Sequence, residues 1–178
     1  PSFKWRREKT FGNAVLSRWP ISAEYAVALP HANPIMRFKR LGVGADIMVG
    51  EHQVRVVAVH LSTMAMSLEK RLEQAATLID SLAAVPGPVI LAGDFNTVTK
   101  TDRLEMNRLM RESGFRQARL PAGRTAHNFL DFTGLELVLD HFYYRGLVAV
   151  EGGIDIKAEA SDHYPIWATF TWPDSTGH

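Results

Sequence analysis

The sequence predicts an α/β domain whose sheets are covered by helices. Three observations carry that expectation: short β-branched runs, two stretches with apolar residues at helical spacing, and the interleaving of the two kinds along 178 residues. Such a chain buries roughly 70% of its unfolded surface, so it needs no disulfide or structural zinc. No repeat or linker divides it, and residues 1–178 read as a single domain. The absence of cysteine excludes thiol nucleophiles, thiolate metal sites and redox disulfides. Apolar runs are a handful of residues, far short of the ~20 that span a bilayer. Pro1-Ser2-Phe3-Lys4-Trp5-Arg6-Arg7 lacks a signal peptide's apolar stretch. A soluble chain is expected, cytoplasmic or exported without disulfides.

The elements follow from the patterning. Asn13-Ala14-Val15-Leu16-Ser17-Arg18 reads as a strand closed by Trp19-Pro20, and residues 35–49 alternate loosely before a Gly50-Glu51-His52 turn. Residues 54–60 answer as a β-branched strand antiparallel to it. From Ser67 the period becomes helical: Leu68, Leu72, Ala75, Ile79 and Leu82 form one stripe, Ser67 is the cap, and Pro86-Gly87-Pro88 lies beyond the end. Val89-Ile90-Leu91-Ala92 is a short buried strand. Asp102 with Glu105 makes a capping-box pattern for a second helix, which carries Leu109 and Met110 and stops at Gly114. Residues 138–144, 148–150 and 164–172 are the remaining strand candidates.

Charge is uneven beneath a net of +1, from 20 Lys+Arg and 19 Asp+Glu. Residues 1–40 carry eight basic side chains against Glu8 and Glu24, which makes the front +6 and leaves the rest −5. A basic segment attracts phosphate-rich substrates, although a run this short is equally a solvated face.

Four polar clusters stand where apolar strands end or begin: His60, Gly93-Asp94-Phe95-Asn96, Leu139-Asp140-His141 and Ser161-Asp162-His163. Each alone is a common turn or a chance pair; four in one short chain suit phosphoester hydrolysis. That chemistry needs an oriented water, donors for the charge that develops on phosphorus, an acid for the leaving oxygen, and a hard cation. Asp94 is placed to orient or deprotonate water. Asn96, two residues on, projects to the same side of an extended strand as an amide donor to phosphate. Asp162 is a hard-oxygen ligand for Mg²⁺ or Mn²⁺. His163 donates to a phosphate oxygen if Asp140 fixes its ring, and His60 is free to act as an acid from another side.

Gly12-Asn13-Ala14-Val15-Leu16-Ser17-Arg18-Trp19-Pro20-Ile21, Val59-His60-Leu61, Gly93-Asp94-Phe95-Asn96, Leu139-Asp140-His141-Phe142 and Ser161-Asp162-His163-Tyr164-Pro165 resemble the ordered motifs of the endonuclease/exonuclease/phosphatase superfamily, the deoxyribonuclease I-like group. The resemblance implies a four-layer α/β sandwich, two mixed sheets flanked by helices. It places His60 at a leaving-group or phosphate-contact position, Asp94 and Asn96 as water-orienting acid and phosphate-binding amide, Asp140 as the acid orienting His163, and Asp162 as a metal ligand. It also matches Arg18 to a phosphate-contacting arginine and Asn13 to a nearby polar contact. The implied cofactor is Mg²⁺ or Mn²⁺, and the implied partner a phosphoester substrate, with nucleic acid and phospholipid headgroups among the classes.

One departure stands out. Family members begin with a strand bearing Asn and then a helix and strand ending in Gln-Glu, whose glutamate binds the metal; no such unit precedes Gly12. The chain is therefore expected to lack the first strand-helix-strand unit, at least ~30 residues, and to be weakly active or inactive as it stands. An alternative is a non-catalytic interaction module that keeps the fold without that ligand. Thr97-Val98-Thr99 after Asn96 matches neither the inositol-phosphatase nor the abasic-site branch, so the substrate is unassigned. Gly123-Arg124-Thr125-Ala126-His127-Asn128 is read as a substrate-facing loop.

Overall fold

The computed structural model describes residues 12–35, 37–127 and 136–173. Lys4, Arg6, Arg7 and Lys9 of the basic front, and Asn128, lie outside the described residues. Two sheets form. Strands β1 (Ile21–Ala32), β2 (Lys39–Val49), β3 (His52–His60), β4 (Val89–Asp94), β5 (Arg116–Gln117) and β6 (Asp140–Arg145) make a mixed sheet in the order β1-β2-β3-β4-β6-β5. Only β3 and β4 run parallel in it, and the connection between them is helix α1 (Leu68–Leu82). Helix α2 (Lys100–Glu112) follows β4. Strands β7 (Val148–Ile154) and β8 (Ile166–Thr171) form a separate antiparallel pair.

Period-two alternation divides the large sheet into two faces. Val57, Val59, Leu91 and Tyr143 point to the helices, where Leu78 and Leu82 of α1 and Met106 and Met110 of α2 close the larger core. Ala45, Val54 and Tyr144 point the other way, with Ile90 and Phe142, and meet Ala168 and Phe170 of the small sheet. The α/β architecture of two sheets with covering helices is thus present; among the described residues the helices lie on one outer face.

Several elements differ in detail from the sequence pattern. Residues 13–18 form no strand. Asn13 Nδ2 donates to the backbone oxygens of Leu41 and Ala58, and Ser17 Oγ accepts the Trp19 N–H, so side-chain bonds hold this segment where a ladder would be needed. The first strand is instead β1, whose alanines and internal Pro30 give little strand signal. Proline is tolerated there because, among the described residues, β1 is an edge strand whose one ladder is with β2. Helix α1 follows the expected stripe and cap, with Ser67 Oγ accepting from Lys70 N at 3.5 Å. Helix α2 begins a turn earlier than expected. Thr99 is its N-cap and Asp102 the reciprocal partner, at 3.0 and 3.2 Å. Asp102 also accepts from buried Arg71 at 2.9 Å, which ties α2 to α1. Gly114, at φ +83°, ends α2 as predicted.

Gly93 governs how closely the ends of β3 and β4 approach. Its φ is +133°, and a Cβ there would lie 2.1 Å from the Val59 carbonyl oxygen on the neighbouring parallel strand. Gly93→Ala is therefore expected to lower unfolding stability by roughly 3 kcal/mol or more, from strain plus overpacking. Urea denaturation measures it; a near-neutral result would show that the strand ends part more readily than this geometry allows.

Candidate active site

Three neighbouring strands set one row of side chains. In the parallel ladder His60 is the partner of Asp94, and in the adjoining antiparallel ladder Asp94 is the partner of Asp140. Alternation puts all three on the face turned toward the small sheet, because they share parity with Val54, Ile90 and Phe142. Two continuing bonds hold the row level: Leu61 N–H donates to Asp94 O and Phe95 N–H to Leu139 O, each at 2.9 Å. The chain then turns at Asn96, a non-glycine residue at φ +52°. Asn96 reaches the site through this left-handed turn, not through strand alternation. His163 arrives from the loop that leads into β8.

Asp94 Oδ2 is the hub. Asn96 Nδ2 donates to it at 2.9 Å, His60 Nε2 lies at 3.4 Å and His163 Nε2 at 4.0 Å. Asp94 Oδ1 accepts the Asn96 backbone N–H at 2.7 Å. On the far side of its ring, His163 donates its Nδ1–H to Asp140 Oδ2 at 2.8 Å, since a carboxylate can only accept. The gap from His163 Nε2 to Asp94 is too long for a direct hydrogen bond and suits an intervening water or phosphate oxygen.

The electrostatics separate these groups. Burial, with the neighbouring Asp140 charge, pushes the Asp94 carboxyl up to about 6 against its hydrogen bond from Asn96. Burial, helped by Arg40 and His163, pushes His60 down to about 4, so it is neutral near pH 7. The hydrogen bond to Asp140 raises His163 to about 9 despite partial burial, so it is a cation there. The row thus holds a titrating carboxyl between a neutral and a charged imidazole, the separation that assigns different proton roles to similar groups.

Of the residues predicted from sequence, His60, Asp94, Asn96, Asp140 and His163 come together. Asp162 is exposed; its Oδ1 accepts from Ser161 Oγ at 3.3 Å and its charge is felt by His163. Asn13 has both amide hydrogens committed to backbone oxygens, which leaves it no N–H for a phosphate. Both Asn96 side-chain hydrogens are likewise used, on Asp94 and on Leu61 O at 3.1 Å, so donating to phosphate would mean releasing one. Arg18 stacks 5.0 Å over Trp19, and among the described residues no hydrogen bond or ion pair joins it to the cluster.

Two features went unread in the sequence. Arg40, counted only as one charge of the basic front, acts electrostatically on both Asp94 and His60; its Nε is buried without a hydrogen-bond partner. Burial lowers its pKa while Asp94 opposes that shift. The other is a buried relay beneath the row. Thr97 Oγ1 has a single hydrogen and donates it to Val138 O at 2.8 Å, so His141 must donate its Nε2–H to Thr97 at 2.7 Å and accept from Gln117 Nε2 at Nδ1, 2.8 Å. Burial lowers His141 to about 4, in keeping with this neutral form. The only signal for either was position: Arg40 is the second residue of β2, Thr97 follows one motif, and His141 stands inside another without an assigned role.

A divalent cation asks for several converging hard ligands. Among the described residues no three His, Asp or Glu side chains converge in that way. Asp162 offers one exposed carboxylate, and these residues by themselves do not make a complete Mg²⁺ or Mn²⁺ site.

The profile of the Endonuclease/Exonuclease/phosphatase family matches residues 5–163. The chain belongs to that family. A UPF0294 protein of Vibrio vulnificus is 30% identical over 142 residues, covering 79% of this chain and 48% of the relative. An endonuclease/exonuclease/phosphatase from Beutenbergia cavernae superposes with TM-score 0.70 at 23% identity, over 88% of this chain and 46% of that one. The mannosyl-6-phosphatase of Bacteroides thetaiotaomicron gives 0.68 at 15%, over 86% and 67%. These structural likenesses concern the fold. The chain spans about half the length of the relatives it matches in sequence. Membership in the endonuclease/exonuclease/phosphatase family supports a phosphoester-hydrolase kind of function, and enzymes of the family typically use divalent metals.

The pKa shifts carry opposite signs for stability. His163 is raised above its unfolded value, so its contribution is fully present below pH 6.5 and is lost as pH rises through about 9. His60 and His141 are depressed, so theirs is present above 6.5 and is lost as pH falls through about 4. Asp94 is raised, so its contribution is lost as pH rises through about 6 and opposes the acid limb. The two histidines outweigh it, and urea midpoints measured from pH 4 to 10 should pass through a maximum between the limbs. In His163→Gln the alkaline limb should flatten while the acid limb, which His163 influences only secondarily, persists in altered form; an unchanged alkaline limb would place the His163 ring away from Asp140.

Proposed function

We propose that the protein is a metal-dependent phosphoester hydrolase that works by in-line attack of an activated water. The observation that carries this reading is the single carboxylate oxygen of Asp94 flanked by Asn96, His60 and His163, with His163 held from behind by Asp140. In this reading Asp94 takes or orients the water proton, because a carboxyl near pKa 6 is matched to neutral pH. Water oxygen bonds to phosphorus, the phosphorus–oxygen bond to the leaving group breaks, the leaving oxygen takes a proton from solvent water, and the proton taken by Asp94 returns to solvent. His163, charged and fixed, holds its Nε2–H toward a non-bridging phosphate oxygen, and Arg40 adds a cation beside the same space. Neutral His60 contacts the phosphate or leaving group from the opposite side of Asp94.

The family's cation would draw on Asp162 together with ligands other than the described residues, and no step of this reaction is routed through it. The chain spans about half the length of its relatives, and with no converging ligand set among its described residues its own turnover is expected to be weak. The substrate class is a phosphoester. The family name covers nucleases and phosphatases, and one structural neighbour is a mannosyl-6-phosphatase. The incomplete ligand set also favours a second reading, a non-catalytic interaction module that retains the fold.

The test uses bis-p-nitrophenyl phosphate and p-nitrophenyl phosphate with Mg²⁺ or Mn²⁺ on this chain and on an extended protein, a polypeptide of the relatives' full length that contains it. Hydrolysis should stop with a chelator, and Asp94→Asn or His163→Gln should lower kcat by about 100-fold or more. Full activity in either variant rejects the assigned roles, and an extended protein inert toward both substrates favours the module. A second measurement addresses the dyad. Asp140→Asn and His163→Gln should be strongly non-additive in a double-mutant cycle, because each removes the same hydrogen bond; additive losses would separate them.

A further inference from the structure

The segment read from sequence as a substrate-facing loop is internal where it matters. Thr125 is fully buried and Ala126 nearly so, at 0% and 3% exposure. The segment lies between the two parts of the chain that supply the Asp140–His163 pair, and it bonds to both. Thr125 N–H donates to Leu137 O and Thr125 O accepts from Tyr164 N–H, each at 2.8 Å. Ala126 forms bridges with both Leu137 and His163, and His127 N–H donates to Asp162 O at 2.9 Å. The Thr125 hydroxyl adds the side-chain link: its oxygen accepts the backbone N–H of Leu139 at 2.9 Å and of Asp140 at 3.0 Å, which uses both of its lone pairs. On the other flank, Leu139 O accepts from Phe95 N–H.

We propose that Thr125 is a positioning residue, whose hydroxyl fixes the Leu139-Asp140 backbone so that the Asp140 carboxylate meets His163 Nδ1. Neither donor has another described acceptor at hand, since β6 starts at Asp140 and its ladder with β4 begins there. Without the hydroxyl these two buried N–H groups must move to find partners, and the carboxylate two bonds away moves with them. The catalytic consequence rests on the proposed hydrolase function. The geometric claim does not.

Two substitutions separate positioning from packing because they predict opposite orders. Thr125→Val keeps the volume and removes the acceptor; Thr125→Ser keeps the acceptor and removes the methyl group. The spectroscopic readout is the exchange-protected downfield proton of His163 Nδ1–H, assigned by its absence in His163→Gln. It should be present in the parent and in Thr125→Ser, and absent or broadened in Thr125→Val. In whichever form hydrolyses the phosphoesters, the chain or the extended protein, Thr125→Val should lower kcat by about 10-fold or more at little-changed KM, with Thr125→Ser close to the parent. A folded Thr125→Val that keeps the His163 signal, or a Thr125→Ser more impaired than Thr125→Val, overturns the proposal. Should Thr125→Val not fold, amide hydrogen exchange on the parent decides: the Leu139 and Asp140 amides must be strongly protected, and exchange at the rate of exposed amides overturns the proposal. The proton signal needs no turnover, so a Thr125 effect on it in an extended protein inert toward both phosphoesters would reject the hydrolase reading and leave the positioning role intact.

Discussion

The parallel pairing of β3 with β4 is the constraint on which the site depends. Parallel strands cannot be joined by a hairpin, so the chain must cross over through α1 and return beside its own previous strand with both C-terminal ends level. That crossover makes His60 and Asp94 register partners, and the antiparallel return of β6 brings Asp140 level with them. A slip of one residue would turn each of these side chains toward the helices. The helix-facing core, with Val57, Val59, Leu91 and Tyr143 against Leu78, Leu82 and Met106, therefore specifies the site from the opposite face: it leaves only one register in which these residues are buried. Gly93 lets the strand ends approach closely enough for the row to be continuous.

Such a row is expensive to bury, and its neighbours show how the cost is distributed. Asp94 would lose its hydration on entering this environment, and it recovers part of it from the backbone and side-chain N–H groups of Asn96, brought round by the left-handed turn. Asp140 is offset by the cationic His163 ring. Arg40 supplies positive potential to Asp94, and the same charge helps keep His60 neutral. Burial is the first cause of the Asp94 and His60 shifts, which their neighbours adjust, whereas His163 is set first by Asp140. A buried Arg40 Nε without a hydrogen-bond partner is costly on its own and is consistent with an anion as the group this space is built to receive.

How much of this could be read from the sequence depended on whether a residue's role was local. His60, Asp94, Asp140 and His163 stand out because they interrupt apolar strands at their ends, and the strands were legible as β-branched runs. Helix α1 was legible from its stripe and cap. By contrast β1 hides behind alanines and Pro30, since edge position is a tertiary fact. The start of α2 was displaced because two overlapping capping patterns exist, and only the contact of Asp102 with Arg71 shows which is used. Asn13 sits in a family motif yet serves as a tie between β2 and β3. Thr125 and Arg40 carry no local signal, because the site groups they act on lie 14 or more residues away for Thr125 and on other strands for Arg40.

The Asp140–His163 hydrogen bond joins parts of the chain that belong to different sheets. Asp140 opens β6 of the large sheet, and His163 leads into β8 of the small one. Two-stranded sheets are marginal alone, and this one leans on the large sheet through Phe170, whose ring lies 5.1 Å from Tyr144 and 6.2 Å from Phe142. Its outward side shows Val148, Val150 and Trp167 to solvent. The charged imidazole thus stands on the loop that leads into the small sheet, while Asp94 and His60 stand on strands of the large one. Backbone and hydroxyl bonds from Thr125 and its neighbours cross between them close to the dyad, where the packing of Phe170 farther down the sheet exerts the least control over a distance of 2.8 Å.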